Sequence, residues 1–208
     1  MCITYPVGDG LYVNVTNRCS NACDFCIRNN GDGAYGSDSL WLEREPTEEE
    51  ILDSVFSRDL DAYREIVFCG YGEPGIRLDT CVSVAKEIKR RRPGTKIRIN
   101  TNGQTDLIFG KRTAPLYEGA FDSVSISLNA PTAEGYQNIC HSRFGAPVFD
   151  AILRFAADVK NFVSDTVFSV VDEFISKEDL ALCYKISEQI GVRLKVREYI
   201  SAEDNKKD

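Results

Sequence analysis

Residues 11–26, LYVNVTNRCSNACDFC, join an apolar run of the β-strand type to three closely spaced cysteines. Cys19, Cys23 and Cys26 follow the spacing CxxxCxxC and come directly after the run LYVNV. Cysteine thiolates are the usual ligands of iron–sulfur clusters, and a cubane cluster has four irons. Three local ligands leave the fourth iron open to a small molecule. The stretch therefore predicts a cluster that is a reaction site, placed just after a strand.

Other uses of clustered cysteines fit this chain less well. A structural zinc site needs four ligands, usually in two pairs, whereas the sequence has no second CxxC and a single histidine, His141. An electron-transfer cluster needs a fourth cysteine, and disulfide frameworks belong to small secreted chains. A chance grouping among the eight cysteines stays open. We favour the open cluster, provided that its structural context agrees.

Length and composition limit the class of protein. The 208 residues predict one core domain over 1–200 and a polar tail over 201–208. A hydrophobic content of 43% is enough to bury a core. The net charge of −7 argues against general binding to nucleic acid, which needs a basic face. No secretory signal and no bilayer-spanning run is found, so we expect a cytoplasmic protein without membrane contact.

Short apolar or β-branched runs alternate with helical patterns along the chain. Strands are predicted at 11–16, 65–69, 96–100, 123–128, 166–171 and 193–196, and helices at 47–58, 78–92, 113–119, 148–163 and 176–189. This alternation is typical of a parallel sheet with right-handed crossovers. Because the strands are fewer than the eight of a closed barrel, we predict an α/β fold: a partial (β/α)6 barrel with a curved, open, parallel sheet. A flat doubly wound sheet is the alternative.

A second polar motif, CGYGEP, follows the second predicted strand. Its glycines, Gly70 and Gly72, allow a ligand to approach the backbone closely. The carboxylate of Glu73 can accept hydrogen bonds from an ammonium group. Alone, such a motif indicates only a strand-to-helix turn. Chemistry in parallel α/β folds lies at the carboxyl ends of strands, so two polar motifs at successive strand ends favour one shared site.

Together the two motifs resemble those of the radical S-adenosylmethionine (SAM) superfamily, and the resemblance extends over about residues 11–196. It implies a 4Fe–4S cluster on Cys19, Cys23 and Cys26, with SAM on its open iron. The G-Y-G-E turn is similar to the superfamily's GGE motif, which holds the amino group of SAM, although Tyr71 replaces the second glycine. The residues that the resemblance implies as SAM contacts are Phe25, Gly70, Tyr71, Gly72, Glu73, Asn100, Thr101, Ser127, Asn129 and Val171.

The resemblance also implies an activity and partners. SAM would be cleaved reductively to a 5′-deoxyadenosyl radical that abstracts hydrogen from a substrate, with reduced flavodoxin or ferredoxin as the electron donor. The stretches VTNRCSNACDFCIRN, LWLEREPTEEE, CGYGEP and SLNAPTAEGY are similar to the TatD-family-associated radical SAM proteins, which implies a functional link to a TatD-family hydrolase. Two alternatives stay open: an activase that makes a glycyl radical on a partner protein, and an iron–sulfur redox protein that makes no radical.

Several further features have weaker interpretations. The loop 29–45, NNGDGAYGSDSLWLERE, is expected to shape the substrate side through an anchor at 40–42, and a passive surface insert is the alternative. His141 is expected to be structural. Cys69 and Cys183 are expected in the core. The charged residues Asp172, Glu173, Arg197 and Glu198 follow late strands and face substrate or form a rim. The sequence indicates no catalytic side chain and no particular substrate.

Overall fold

The computed structural model describes residues 1–201 and contains one seven-stranded sheet in the order β1-β2-β3-β4-β5-β6-β7. The strands are β1 Thr4–Val7, β2 Gly10–Val13, β3 Glu65–Phe68, β4 Ile97–Thr101, β5 Ser123–Ser127, β6 Asp165–Val171 and β7 Arg193–Arg197. β1 pairs antiparallel with β2, and the later neighbours pair parallel. The sheet is curved and open, so the predicted α/β partial barrel is confirmed.

Helices connect the parallel strands and cover one side of the sheet. They are α1 Glu48–Phe56, α2 Leu78–Arg91, α3 Thr105–Phe109, α4 Ala133–Cys140, α5 Val148–Val159 and α6 Lys177–Ile190. α1 begins with a capping box in which Thr47 and Glu50 satisfy each other's backbone N–H groups. None of these helices, which are those of residues 1–201, is long and apolar enough to cross a bilayer.

Four elements differ from the sequence prediction: β1, α3 and α4, which were not predicted, and the predicted helix at 113–119. β1 was not predicted, because a four-residue strand with a central proline, Pro6, carries little strand signal. Its two-residue connection to β2, Gly8-Asp9, is a hairpin signal that could have revealed it. α3 has only five residues, and α4 is capped by Thr132, whose side chain accepts a hydrogen bond from Gly135 N. The predicted helix at 113–119 is a single 3₁₀ turn, Ala114–Tyr117, and residues 202–208 of the predicted tail lie outside the described residues.

Alternation along the strands separates the core from the site. One face of the sheet packs against the helices through side chains that are nearly inaccessible, such as Phe68, Ile99, Ile126 and Phe168. The residues between them point to the concave face, where the strands carry polar groups instead. Because the main core uses one face, the other face can form a binding cavity, with a small second cluster of Tyr5, Ala34, Leu40 and Tyr71 at its edge.

Candidate functional site

The cysteine loop follows β2, and Cys19, Cys23 and Cys26 are all partly buried in it. Two sets of backbone hydrogen bonds hold this loop. Glu73 N donates to the carbonyl oxygen of Arg18 at 2.8 Å, which ties the loop to the turn after β3. On the other side, Ala22 N donates to the carbonyl oxygen of Cys140, at the end of α4, at 3.0 Å. The thiols are therefore presented by a loop that is fixed on both sides.

Donors surround the thiols. Asn21 N donates to Cys19 Sγ at 3.4 Å, and Arg28 Nε donates to Cys26 Sγ at 3.3 Å. Burial, with a contribution from the charge of Glu73, raises the pKa of Cys19 to about 12, and bound iron would reverse this because a coordinating thiol is deprotonated.

In residues 1–201 no three His, Cys, Asp or Glu side chains converge on one metal ion. Ligands of a cubane bind different irons and need no common centre.

The glycines of the G-Y-G-E turn are required by contact with the β2 side of the site. A Cβ atom at Gly70 would lie 2.1 Å from Asn14 Oδ1, and one at Gly72 would lie 2.2 Å from the carbonyl oxygen of Thr16. Both distances are far below a real carbon contact. The glycines thus allow the turn and the start of the cysteine loop to touch, in addition to any approach by a ligand.

Glu73 connects two strand ends. Its side chain is 5% exposed. Oε1 accepts hydrogen bonds from Gly75 N at 2.8 Å and from Thr101 Oγ1 at 2.7 Å, and Oε2 accepts one from Asn102 N at 2.7 Å. Burial raises the pKa of this carboxyl, while the three donors act in the opposite direction. The structure thus gives Glu73 a positioning role, and its direct bond to the amino group of SAM stays a prediction.

Tyr71, which stands where the superfamily motif has glycine, holds the loop 29–45. The side chain is 3% exposed, and its Oη lies 2.6 Å from the carbonyl oxygen of Gly31 and 2.9 Å from that of Gly33. Burial raises the pKa of Tyr71 to about 12, so the hydroxyl remains a donor at neutral pH. Its phenol proton is shared between two loop carbonyls.

The same loop is fixed at its far end by leucines. Leu40 is fully buried and Leu42 is 6% exposed, whereas Trp41 between them is 42% exposed. Asn14 Nδ2 donates to the carbonyl oxygen of Leu40 at 2.7 Å, and Asn17 Nδ2 donates to that of Leu42 at 2.7 Å. The predicted anchor therefore consists of the two leucines, and Trp41 contributes an edge-on ring contact with Tyr71 at 5.1 Å between centroids.

One cavity of about 400 Å³ opens at the carboxyl ends of the strands. All of the residues predicted as cluster ligands or SAM contacts line it, namely Cys19, Cys23, Phe25, Cys26, Gly70, Tyr71, Gly72, Glu73, Asn100, Thr101, Ser127, Asn129 and Val171. They come from separate strand ends and from the cysteine loop. The structure thus brings the predicted residues together, while their individual roles stay predictions.

Asn129 places an unpaired acceptor atom in the cavity. It follows β5 with a left-handed backbone, φ 56°, and is 4% exposed. Its Nδ2 donates to Cys140 Sγ at 3.5 Å, but its Oδ1 is buried without a hydrogen-bond partner. A buried, unpaired oxygen is unfavourable, so this atom fits a ligand that donates a hydrogen bond, such as an amine or a ribose hydroxyl.

Aromatic side chains lie beside the cysteines. The ring of Phe25 contacts that of Phe174 at 5.2 Å between centroids, and Phe174 contacts Tyr199 at 5.1 Å. Val171, at the end of β6, lines the same cavity and is 6% exposed. An apolar wall of this kind suits a planar ring, which is the role that the resemblance implies for Phe25 and Val171.

Sequence reasoning missed part of the cavity. The unpredicted lining residues include Tyr5, Tyr12, Asn21, Tyr35, Cys69, Arg98, Ser125, Ser169, Lys195 and Tyr199. Cys69 was expected in the core but comes directly after β3 and lines the cavity, because Phe68 before it faces the helices. Strand alternation was the signal that could have found Arg98, Ser125, Ser169 and Lys195.

The remaining candidates lie at the edge of the site. His141 ends α4 with φ 47°, and its Nε2 lies 2.8 Å from Asp24 Oδ1 at an exposed position. Asp172 Oδ1 accepts a hydrogen bond from Tyr199 N at 3.0 Å, which ties β6 to the segment after β7. Arg197 and Glu198 line the cavity, whereas Cys183 is buried in the core as predicted.

The fold is a partial α/β barrel with a three-thiol loop after its first parallel strand and a polar cavity at its strand ends. This combination defines the class of α/β barrels that hold a metal cluster and a small ligand. Comparison with protein families specifies this class further. The model of the Radical SAM superfamily matches residues 13–181, and the chain belongs to that superfamily. Its members use a 4Fe–4S cluster and SAM. The three thiols and the unpaired Oδ1 of Asn129 fit both groups.

Curated relatives share part of their length with this chain. The GTP 3′,8-cyclase of Lactiplantibacillus plantarum is 27% identical over 144 residues, which cover 69% of this chain and 40% of that protein. The GTP 3′,8-cyclase of Corynebacterium glutamicum is 33% identical over 139 residues, covering 62% and 33%. The chain thus spans two fifths or less of these two relatives.

Solved structures agree on the fold. A radical SAM methyltransferase from Sphaerobacter thermophilus is 15% identical with a TM-score of 0.61, covering 98% of this chain and 70% of that one. Streptococcus suis SuiB bound to its precursor peptide SuiA is 15% identical with a TM-score of 0.66, covering 96% and 42%. At this level of identity the likeness shows the architecture alone.

Proposed function

We propose that this chain is a radical SAM enzyme that cleaves SAM reductively and uses the resulting 5′-deoxyadenosyl radical to abstract hydrogen from a substrate. The observation that carries the proposal is the convergence of the three thiols, the G-Y-G-E turn and Asn129 on one cavity. Bound together, the cluster and SAM supply the electron and the radical precursor. The protein's contribution is to bind, orient and enclose them.

The chain's own residues have distinct tasks in this proposal. Cys19, Cys23 and Cys26 hold the cluster, and the Arg28 guanidinium next to Cys26 Sγ balances part of its negative charge. Glu73 fixes the turn whose backbone faces the amino group of SAM. The unpaired Oδ1 of Asn129 accepts a hydrogen bond from SAM. These roles require no movement of the barrel strands.

The loop 29–45 limits access of water. It is attached through Tyr71 and through the two leucines, and its Ala34 and Tyr35 line the cavity. Exclusion of water protects a reactive intermediate from side reactions. We therefore assign the loop to the substrate side, where its loss would reduce coupling to product more than cleavage of SAM.

The proposal extends to a subgroup and to partners. Four sequence stretches support membership in the TatD-family-associated radical SAM proteins and a functional link to a TatD-family hydrolase. Reduced flavodoxin or ferredoxin is the proposed electron donor. We do not extend this function to GTP, because the chain covers 40% or less of the length of the two GTP 3′,8-cyclases.

The test is anaerobic reconstitution followed by electron paramagnetic resonance of the reduced cluster with and without SAM. The proposal predicts a changed spectrum with SAM and slow formation of 5′-deoxyadenosine and methionine without any substrate. An unchanged spectrum at saturating SAM would identify a simple redox protein. Transfer of the radical to a stably bound glycyl radical enzyme, detected as its glycyl signal, would identify an activase.

A further inference from the structure

The cavity continues past the SAM half onto β7, the last strand of the sheet. Lys195 and Arg197 are two positions apart on this strand, so they share one face of it, and both line the cavity. In the parallel register Lys195 is opposite Ser169, and Arg197 is opposite Val171. Ser169 is in turn opposite Ser127 on β5. Two cations and two hydroxyl groups thus share one region of the concave face.

These cations differ from the third cation in the cavity, Arg98. Both ends of the Arg98 guanidinium are used, by Glu65 Oε1 at 2.7 Å and by Asn100 Oδ1 at 2.8 Å. Lys195 and Arg197 make no ion pair with any residue in 1–201. The Nε of Arg197 is moreover buried with no hydrogen-bond partner in that part of the chain. An unpaired buried guanidinium N–H is costly, so the site is complete only with an acceptor.

Other charges in the cavity do not supply that acceptor. Glu73 is already bonded to three protein donors. Glu198 also lines the cavity, but it is exposed and accepts no hydrogen bond from the Nε of Arg197. A local excess of positive charge is notable in a chain of net charge −7. It concentrates anions at this point and not on the general surface.

Lys195 and Arg197 lie next to the residues that the resemblance assigns to SAM, which places them where a substrate would bind. Val171 and Ser127, which the resemblance assigns to SAM, are the strand neighbours of Arg197 and of Ser169. A group held by Arg197 would therefore lie beside bound SAM, in a cavity that Tyr5, Tyr12 and Tyr35 also line.

We infer that Lys195 and Arg197, with the hydroxyl group of Ser169 beside them, bind an anionic group of the substrate, a phosphoryl or carboxylate group. This inference rests on the proposed function for the word substrate, but the anion site itself is defined by the cavity alone. Arg197 orients the anion through its planar donors, and Lys195 adds charge from the more exposed end of the site.

The test is calorimetric titration of cluster-loaded, SAM-bound protein with inorganic pyrophosphate and, separately, with succinate, while visible absorption confirms that the cluster stays intact. Arg197→Gln is expected to weaken binding by about 10- to 100-fold, which corresponds to one charged hydrogen-bonding group. Arg193→Gln is the matched control, because Arg193 lies on the same strand, does not line the cavity and is paired with Asp165. It removes the same charge and should leave affinity unchanged.

The possible outcomes test the anion site and the proposed radical SAM function separately. Binding of pyrophosphate alone assigns a phosphoryl substrate, binding of succinate alone assigns a carboxylate, and either supports the site if Arg197→Gln weakens it by about 10- to 100-fold. No binding of either anion, or equal weakening by Arg193→Gln, overturns the inference. Formation of 5′-deoxyadenosine is measured on the same samples. If it is absent while Arg197-dependent binding persists, the proposed function fails and the anion site stands.

Discussion

The hydroxyl of Tyr71 lies 2.6 Å from the carbonyl oxygen of Gly31, across 40 positions of the sequence. The contact joins the turn that carries Glu73 to the loop 29–45. The SAM side of the cavity and its cover are therefore mechanically coupled through one phenol. Glycine, which the superfamily motif has at this place, could not make such a bond.

Removal of that hydroxyl tests the coupling. Tyr71→Phe keeps the buried ring but loses the bond to the loop, which stabilises it by about 1 kcal/mol. We expect faster proteolysis within residues 31–39, unchanged cleavage of SAM and lower coupling to product once a substrate is known. Tyr184→Phe, at an exposed position of α6, is the control. If cleavage of SAM disappears instead, the loop supports the cluster and is not a cover.

Glu73 is expected to matter for folding at least as much as for SAM. Glu73→Ala leaves three buried donors without their acceptor, so the free energy of unfolding should fall by roughly 3 kcal/mol. Glu73→Gln should lie between, because it keeps one acceptor oxygen. Urea denaturation of cluster-free protein measures this, with Glu134→Ala on the exposed side of α4 as the control. Wild-type stability together with lost SAM affinity would restore a direct role in binding SAM as the main one.

Asn129 allows the backbone and the side chain to be tested separately. Asn129→Gly tolerates the left-handed backbone but removes Oδ1, so SAM affinity should fall about tenfold while stability is kept. Asn129→Asp retains the acceptor and should bind SAM better than the glycine variant. Equilibrium dialysis of cluster-loaded protein measures both. Equal affinity in wild type and Asn129→Gly would show that SAM does not use this oxygen.

The cluster assignment is tested by cysteine replacement. Anaerobically reconstituted wild type should contain about four irons and four sulfides per chain, and Cys23→Ala should lose most of both. Cys183→Ala, in the buried core away from the cavity, should retain the full content. A complete cluster in Cys23→Ala would refute the assignment of Cys23 as a ligand.

Local spacing made much of the site predictable. The three thiols and the G-Y-G-E turn are short motifs, and their place at strand ends follows from strand–helix alternation. The bonding of Glu73 was not predictable, because its partners Thr101 and Asn102 belong to another strand end and only the folded register brings them near. The position of Cys69 in the cavity was also not predictable, because the face to which its side chain points depends on where β3 begins.

Short edge elements were the least predictable part of the fold. β1 is too brief to show alternation, and its inclusion depends on pairing with β2. β7 was predicted, but the sequence did not show that Lys195 and Arg197 face the cavity. Their orientation follows from the parallel register of β7 with β6. Sequence alone left Arg197 equally consistent with a charged rim.

Trp41 gives the protein a built-in optical probe. It is the only tryptophan in the chain, and it lies with its ring edge-on to Tyr71, partly in solvent, on the segment that is attached by Leu40 and Leu42. Its emission therefore originates from one place, the junction between the cover and the turn. Detachment of the loop would separate the two rings and change the solvent around the indole. Opening and closing can thus be timed in unlabelled protein by stopped-flow fluorescence, independently of any product assay.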